Sequence, residues 1–190
     1  MSETGPLVIG YGNALRGDDG VGQEVAQALW AQRSSVPALA GATIKWAHQL
    51  APEMALDISR AAMVVFIDAA ADGRPAGSVS VRALGGSEDR AAPERAVGAS
   101  CWEDIGPESL LALASALYGW SPTALLVTVS IRDPGLGFGL SRAAEGAVRV
   151  AASAVVSAVS QPPGRGRARA LAGSGCMPDG PLSVGAPDGA

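Results

Sequence analysis

The apolar triplet Leu7-Val8-Ile9 runs into GYGNALRGDDGVG at residues 10–22, and an amphipathic segment from Val21 to Arg33 follows. This is the order strand, glycine-rich turn, helix. Gly10, Gly12 and Gly17 allow positive φ or a close approach of the backbone, and Asn13 is the non-glycine residue that best tolerates that region. Asp18 and Asp19 stand at the mouth of the helix, where the dipole and free N–H groups stabilise negative charge. One aspartate is sufficient to cap the helix. A second carboxylate beside a capped helix needs another partner.

The rest of the chain repeats this alternation. The first helix carries Val21, Val25, Leu29 and Trp30 on one face, and a turn-rich link leads to a short strand, Thr43 to Ala47, ending in His48. Pro52 opens a second helix running to about Arg60. Met63 to Ile67 is uninterruptedly apolar, as in a strand buried on both faces of a parallel sheet, and it ends in Asp68. Residues 78–84 alternate and predict an edge strand, and 85–98 read as a mobile connection. A helix follows from Pro107 to Tyr118, closed by Gly119, then an apolar strand from Ala124 to Ser130. Ser141 caps a last helix with Val148, Ala152, Val155 and Val159 on one face. The expected domain is residues 1–160. Residues 161–190, rich in Pro, Gly and Arg, read as a disordered tail.

Strands alternating with helices predict an α/β sheet, parallel or mixed and covered on both faces, with functional groups at the carboxyl ends of the strands. Composition narrows the chemistry. With 48% apolar and 17% charged residues the chain is globular, and a net charge of −4 without a basic stripe argues against nucleic acid or an anionic membrane as partner. The runs Met63–Ile67 and Ala124–Val129 are too short for a bilayer, and the first ten residues lack the regions of a signal peptide, so a cytoplasmic protein is expected. One histidine, His48, excludes a histidine-rich metal site, and no GxSxG elbow is present. The cysteines, Cys101 and Cys176, have no metal-type spacing, and Cys101 reads as a small buried residue. Trp102 and Trp120 read as core cover. Chemistry must rest on carboxylates.

Asp68, directly after an apolar strand, needs a metal, several backbone N–H donors, a cation or a turn to cap. Brought together, Asp19 and Asp68 repel, and one pKa rises unless a cation lies between them. Such a pair is an acid/base couple or a metal site. His48 at a strand end reads as a hydrogen-bonded structural residue before a ligand.

GYGNALRGDDGVG after LVI, HQLAPEMA leading to VVFIDAA, IGPESLLALASALYG, and LLVTVS followed by GFGLS together resemble the [NiFe]-hydrogenase maturation endopeptidases from Leu7 to Val159. The resemblance implies a three-layer α/β/α fold, phosphorylase/hydrolase-like, with a mixed, mostly parallel five-stranded sheet. It implies a metal-dependent, carboxylate-based peptidase that removes the C-terminal extension of a hydrogenase large-subunit precursor after nickel insertion, the nickel being supplied by the substrate. The family's loop carboxylate maps to Asp19 and its strand-end aspartate to Asp68, both expected as catalytic and metal-binding. Its histidine before the third helix maps to Glu103, a departure that leaves three readings: Glu103 as the third ligand, His48 in its place, or a weakened site. Three carboxylates also suit another divalent cation, Mg²⁺, Mn²⁺ or Ca²⁺, in the isolated protein. Asn13 and the loop N–H groups are candidates to steady an oxyanion. The rival expectations are a non-catalytic assembly factor that docks on the nickel-loaded subunit and a phosphate binder, the latter opposed by the charges of Asp18 and Asp19 at the helix N-terminus.

Overall fold

The computed structural model describes residues 5–85, 105–132 and 137–161. Five strands, β1 (Leu7–Tyr11), β2 (Thr43–Ala47), β3 (Met63–Ala70), β4 (Val79–Leu84) and β5 (Thr123–Ser130), form one sheet in the order β2-β1-β3-β5-β4. The first four are mutually parallel, and β4 is an antiparallel edge on β5. Helices α1 (Val21–Gln32), α2 (Met54–Arg60), α3 (Pro107–Tyr118) and α4 (Arg142–Ser160) cover both faces. The architecture is the expected three-layer α/β/α sandwich.

Alternation along the strands divides the core in two. Val8, Val65, Ile67, Val127 and Val129 face α1 and α4, where Val25, Leu29, Ala151 and Val155 are buried. Leu7, Ile9, Val64, Phe66 and Leu126 face α2 and α3, against Ala55, Ile58, Leu110 and Ala114. Both faces of the central strands are apolar because both are covered. The helix α4 has the length and mean hydropathy of a membrane span, beyond what the short apolar runs suggest, yet one face of it, Ala144, Ala147, Ala151, Ala152, Val155 and Val159, is buried in the core with α1 and the sheet.

Several boundaries and exposures differ from the sequence reading. Trp30, placed with the buried face of α1, is 37% exposed, and the Arg33 guanidinium lies over its ring at 3.1 Å from the centroid. One residue past Leu29 is about 100° around the helix, beyond the apolar stripe. Pro52 precedes α2, its carbonyl accepting from the Ala55 N–H, and the helix begins at Met54. Trp120 is 44% exposed rather than core cover. Strand β3 continues past Asp68 to Ala70 because β5 pairs with it along that whole length. The connection after residue 85, including Cys101 and Trp102, and the tail with Cys176 lie outside the described residues.

Glycine fixes how α1 meets the sheet. A Cβ on Gly10 would lie 2.0 Å from the Gly22 carbonyl oxygen, and one on Gly22 would lie 2.3 Å from the Tyr11 oxygen and 2.5 Å from that of Ile67. These obstacles are backbone and cannot rotate away. Gly22→Ala should therefore destabilise the protein by about 3 kcal/mol or prevent folding. Gly146→Ala, on the exposed face of α4 with open space at the Cβ position, should stabilise it by about 1 kcal/mol. Denaturant melts of the two variants check the opposite signs.

Candidate functional site

The chain leaves β1 through α1 to β2 on one side, then returns through α2 to β3 on the other. The carboxyl ends of β1 and β3 thus flank a topological switch point, where open α/β sheets hold their ligands. Pairing of β1 with β3 stops at Gly10 and Ile67. Tyr11 and Asp68 are the next residues on each strand, and by alternation both lie on the face of Ile9 and Phe66.

There the Tyr11 hydroxyl donates to Asp68 Oδ2 at 2.8 Å, and the Ala69 N–H donates to Oδ1 at 2.8 Å. Among the open readings of Asp68, hydrogen bonding is realised, with one backbone donor and one phenol. Burial nevertheless raises its pKa to about 6; the two hydrogen bonds oppose the rise and the nearby Asp19 charge adds to it. Tyr11 is pushed far above its ordinary range by burial and by the Asp68 carboxylate, so it remains a hydroxyl donor.

Asp19 reaches the same place from the glycine-rich loop. Residues Gly17–Gly20 form a 3-10 turn, and Asn13 N–H donates to Asp19 Oδ2 at 2.9 Å. Gly12, at φ 134°, has no room for a side chain, since a Cβ would fall 2.0 Å from the Asp19 carbonyl oxygen. Neither aspartate caps α1, whose N-cap is Gly20 without a side-chain bond. Asp18 turns outward and accepts from Ser141 N–H at 2.6 Å and Ser141 Oγ at 2.8 Å, while Ser141 Oγ caps α4 by accepting from Ala144 N–H. The Asn13 N–H is taken up by Asp19, and the Asn13 side-chain oxygen holds the Leu15 N–H.

Asp19, Asp68 and His48 line one cavity of about 270 Å³, together with Tyr11, Arg16 and Ile105. His48 is exposed. Glu103 lies outside the described residues, two positions before the cavity-lining Ile105. Among the described residues no three His, Cys, Asp or Glu side chains are grouped to hold a metal ion. The pair Asp19–Asp68 does fit a cation, because both are acceptors only when ionised and their mutual repulsion falls once positive charge enters. Sequence reasoning missed Tyr11 and Arg16. Strand alternation from Ile9 was the signal available for Tyr11.

No protein-family model matches the sequence, and no curated protein matches it. Solved structures do. The chain is 27% identical to the hydrogenase 2 maturation peptidase of a Thaumarchaeota archaeon, with a TM-score of 0.55, covering 81% of this chain and 97% of that one. It is similar in fold to the [NiFe] hydrogenase maturation protease HycI of Thermococcus kodakarensis, at 18% identity and TM-score 0.60, covering 83% and 94% of the two chains. The hydrogenase maturating endopeptidase HybD of E. coli is similar at 22% identity and TM-score 0.57, over 82% and 91%. With the four sequence motifs in order and the sheet and helices to match, the chain is similar in sequence and fold to a hydrogenase maturation peptidase and shares the fold of further maturation proteases.

Proposed function

We propose that this protein is an endopeptidase of hydrogenase maturation, which removes the C-terminal extension of a [NiFe]-hydrogenase large-subunit precursor once nickel is in place. The observation that carries the reading is the convergence of Asp19 and Asp68 on one cavity at the switch point, in a chain whose relatives are maturation peptidases. The nickel is part of the substrate. Its chemistry is that of a Lewis acid, polarising the scissile carbonyl or activating a water.

The protein's own residues position that chemistry. Asp19 and Asp68 receive the metal, and each has one oxygen occupied by a backbone N–H, which fixes the carboxylate plane. Tyr11, which lines the cavity as well, orients Asp68 through its hydroxyl. With its pKa near 6, Asp68 is partly protonated just below neutral pH, and an arriving cation drives it to the carboxylate. Because the metal arrives with the substrate, isolated protein binds a divalent cation weakly and unloaded precursor is not cut. Glu103, just upstream of Ile105, is the proposed third ligand, with the cavity-lining His48 as the alternative. The replacement of the family's histidine by Glu103 also favours a second reading, a non-catalytic assembly factor that docks on the nickel-loaded subunit.

Incubating the protein with nickel-loaded and nickel-free precursor, and following precursor mass, separates the two. Loss of a C-terminal fragment from the loaded form alone is expected. Asp19→Ala and Glu103→Ala should abolish it, and Tyr11→Phe should slow it by roughly 10- to 100-fold. Stable binding with no mass change would establish the assembly factor.

A second outcome concerns stability. The folded-state pKa of Asp68 is raised above its unfolded value of 3.8, so its contribution is fully present below pH 3.8 and is lost as pH rises through 6. Asp68→Asn, with no metal present, should be more stable than the parent by about 1–3 kcal/mol at pH 7 to 8 while losing cleavage. The gap should close toward pH 4, as read by melting temperature across that range.

A further inference from the structure

Beyond the cavity, the GFGLS segment leaves an apolar side chain unexplained. Phe138 is 90% exposed, and Leu15, on the glycine-rich loop, is 58% exposed. A lone exposed leucine is ordinary. An almost fully exposed phenylalanine on a segment fixed by its neighbours is not.

The two loops are fastened to each other. Arg16 and Gly137 form a parallel bridge, Gly17 N–H donates to the Gly137 carbonyl at 2.8 Å, and Gly137 N–H donates to the Leu15 carbonyl at 3.3 Å. The Asp18 carboxylate adds the two bonds from Ser141. Within the first loop, Asn13 holds the N–H groups of Leu15 and Arg16. Leu15 and Phe138 are thus presented outward on connected backbone instead of folding onto the surface. Arg16, which follows Leu15 and is bridged to Gly137 just before Phe138, lines the Asp19–Asp68 cavity, so each apolar residue is one chain position from the pair that joins the loops to the site.

We propose that Leu15 and Phe138 form a docking rim for a folded protein that carries its own bound divalent cation next to an apolar surface, so that one encounter covers the rim and delivers the cation to Asp19 and Asp68. The inference deepens the proteolytic reading and rests on it for the identity of the partner. Charge selects a protein over an anionic bilayer: the loop that carries Leu15 also carries Asp19, which lines the cavity with Asp68 in a chain of net charge −4, and these charges repel a negative surface and attract a metal-bearing one. Exposed apolar side chains beside a functional cavity are also where partner contact gains most from excluding water.

The test compares Leu15→Ser, Phe138→Ser and the double variant with the parent, using nickel-loaded large-subunit precursor. Both cleavage kinetics and equilibrium binding are read, with Leu117→Ser, a 62% exposed leucine on α3, as control. The double variant should keep its melting temperature and kcat while KM and Kd rise at least tenfold, and Leu117→Ser should change neither. KM and Kd within twofold of the parent would overturn the docking rim while leaving the protease intact. If the parent binds the precursor without cutting it and the double variant loses that binding, the rim stands and the proteolytic reading falls. A parent that neither binds nor cuts overturns both.

Discussion

Everything at the site depends on how close α1 comes to β1. Gly10 and Gly22 let backbone rest on backbone, and Gly12 lets the Asp19 carbonyl fill the space where a side chain would be. A helix held off by side chains would carry the 3-10 turn away from the strand ends, and Asp19 with it. The glycines therefore set the position of a carboxylate they never touch through side chains. This also explains why the motif mixes flexible residues with charged ones in so few positions: one sets the distance, the other supplies the chemistry.

The second constraint is topological. Because the chain goes to one side of β1 and then to the other, the carboxyl ends of β1 and β3 flank the switch point, and β3 outlasts β1 by several residues. Asp68 is thereby inside a strand yet without a neighbour on its β1 side, where Tyr11 reaches over to hold it. Burial raises the carboxyl's pKa, and Asp19 raises it further. In a group kept only for structure, that arrangement would be a net cost at neutral pH. As the receiving end for a cation, the same burial sharpens the response, since the attraction of opposite charges is strongest where water is scarce.

Much of this was readable from sequence because it rests on local rules. The uninterrupted run Met63–Ile67 required cover on both faces, the alternation in residues 78–84 marked an edge, and the adjacency of Asp19 and Asp68 to strand ends put both at the same border of the sheet. What escaped depended on pairing. The extension of β3 to Ala70 is decided by β5, and the role of Tyr11 by where β1 stops, neither of which is written in the segment itself. Trp30 escaped because helical periodicity tolerates an error of one residue that exposure does not. The Asp18–Ser141 bond joins residues 123 apart, and no periodicity in either segment marks it.

That bond also answers why two adjacent aspartates follow the glycines. In a 3-10 turn successive residues point about 120° apart, so Asp18 and Asp19 cannot serve the same partner. Asp19 faces the cavity, and Asp18 faces the N-terminus of α4, where it accepts from the residue that caps that helix. One short turn thus ties the carboxylate of the site to the loop that carries Phe138. In the proposed docking, a partner pressing on that rim meets a surface whose backbone is continuous with the ligand it must find. Fixing the two together removes the need to order them at the moment of encounter, and a contact that costs less ordering leaves more of its free energy for recognition.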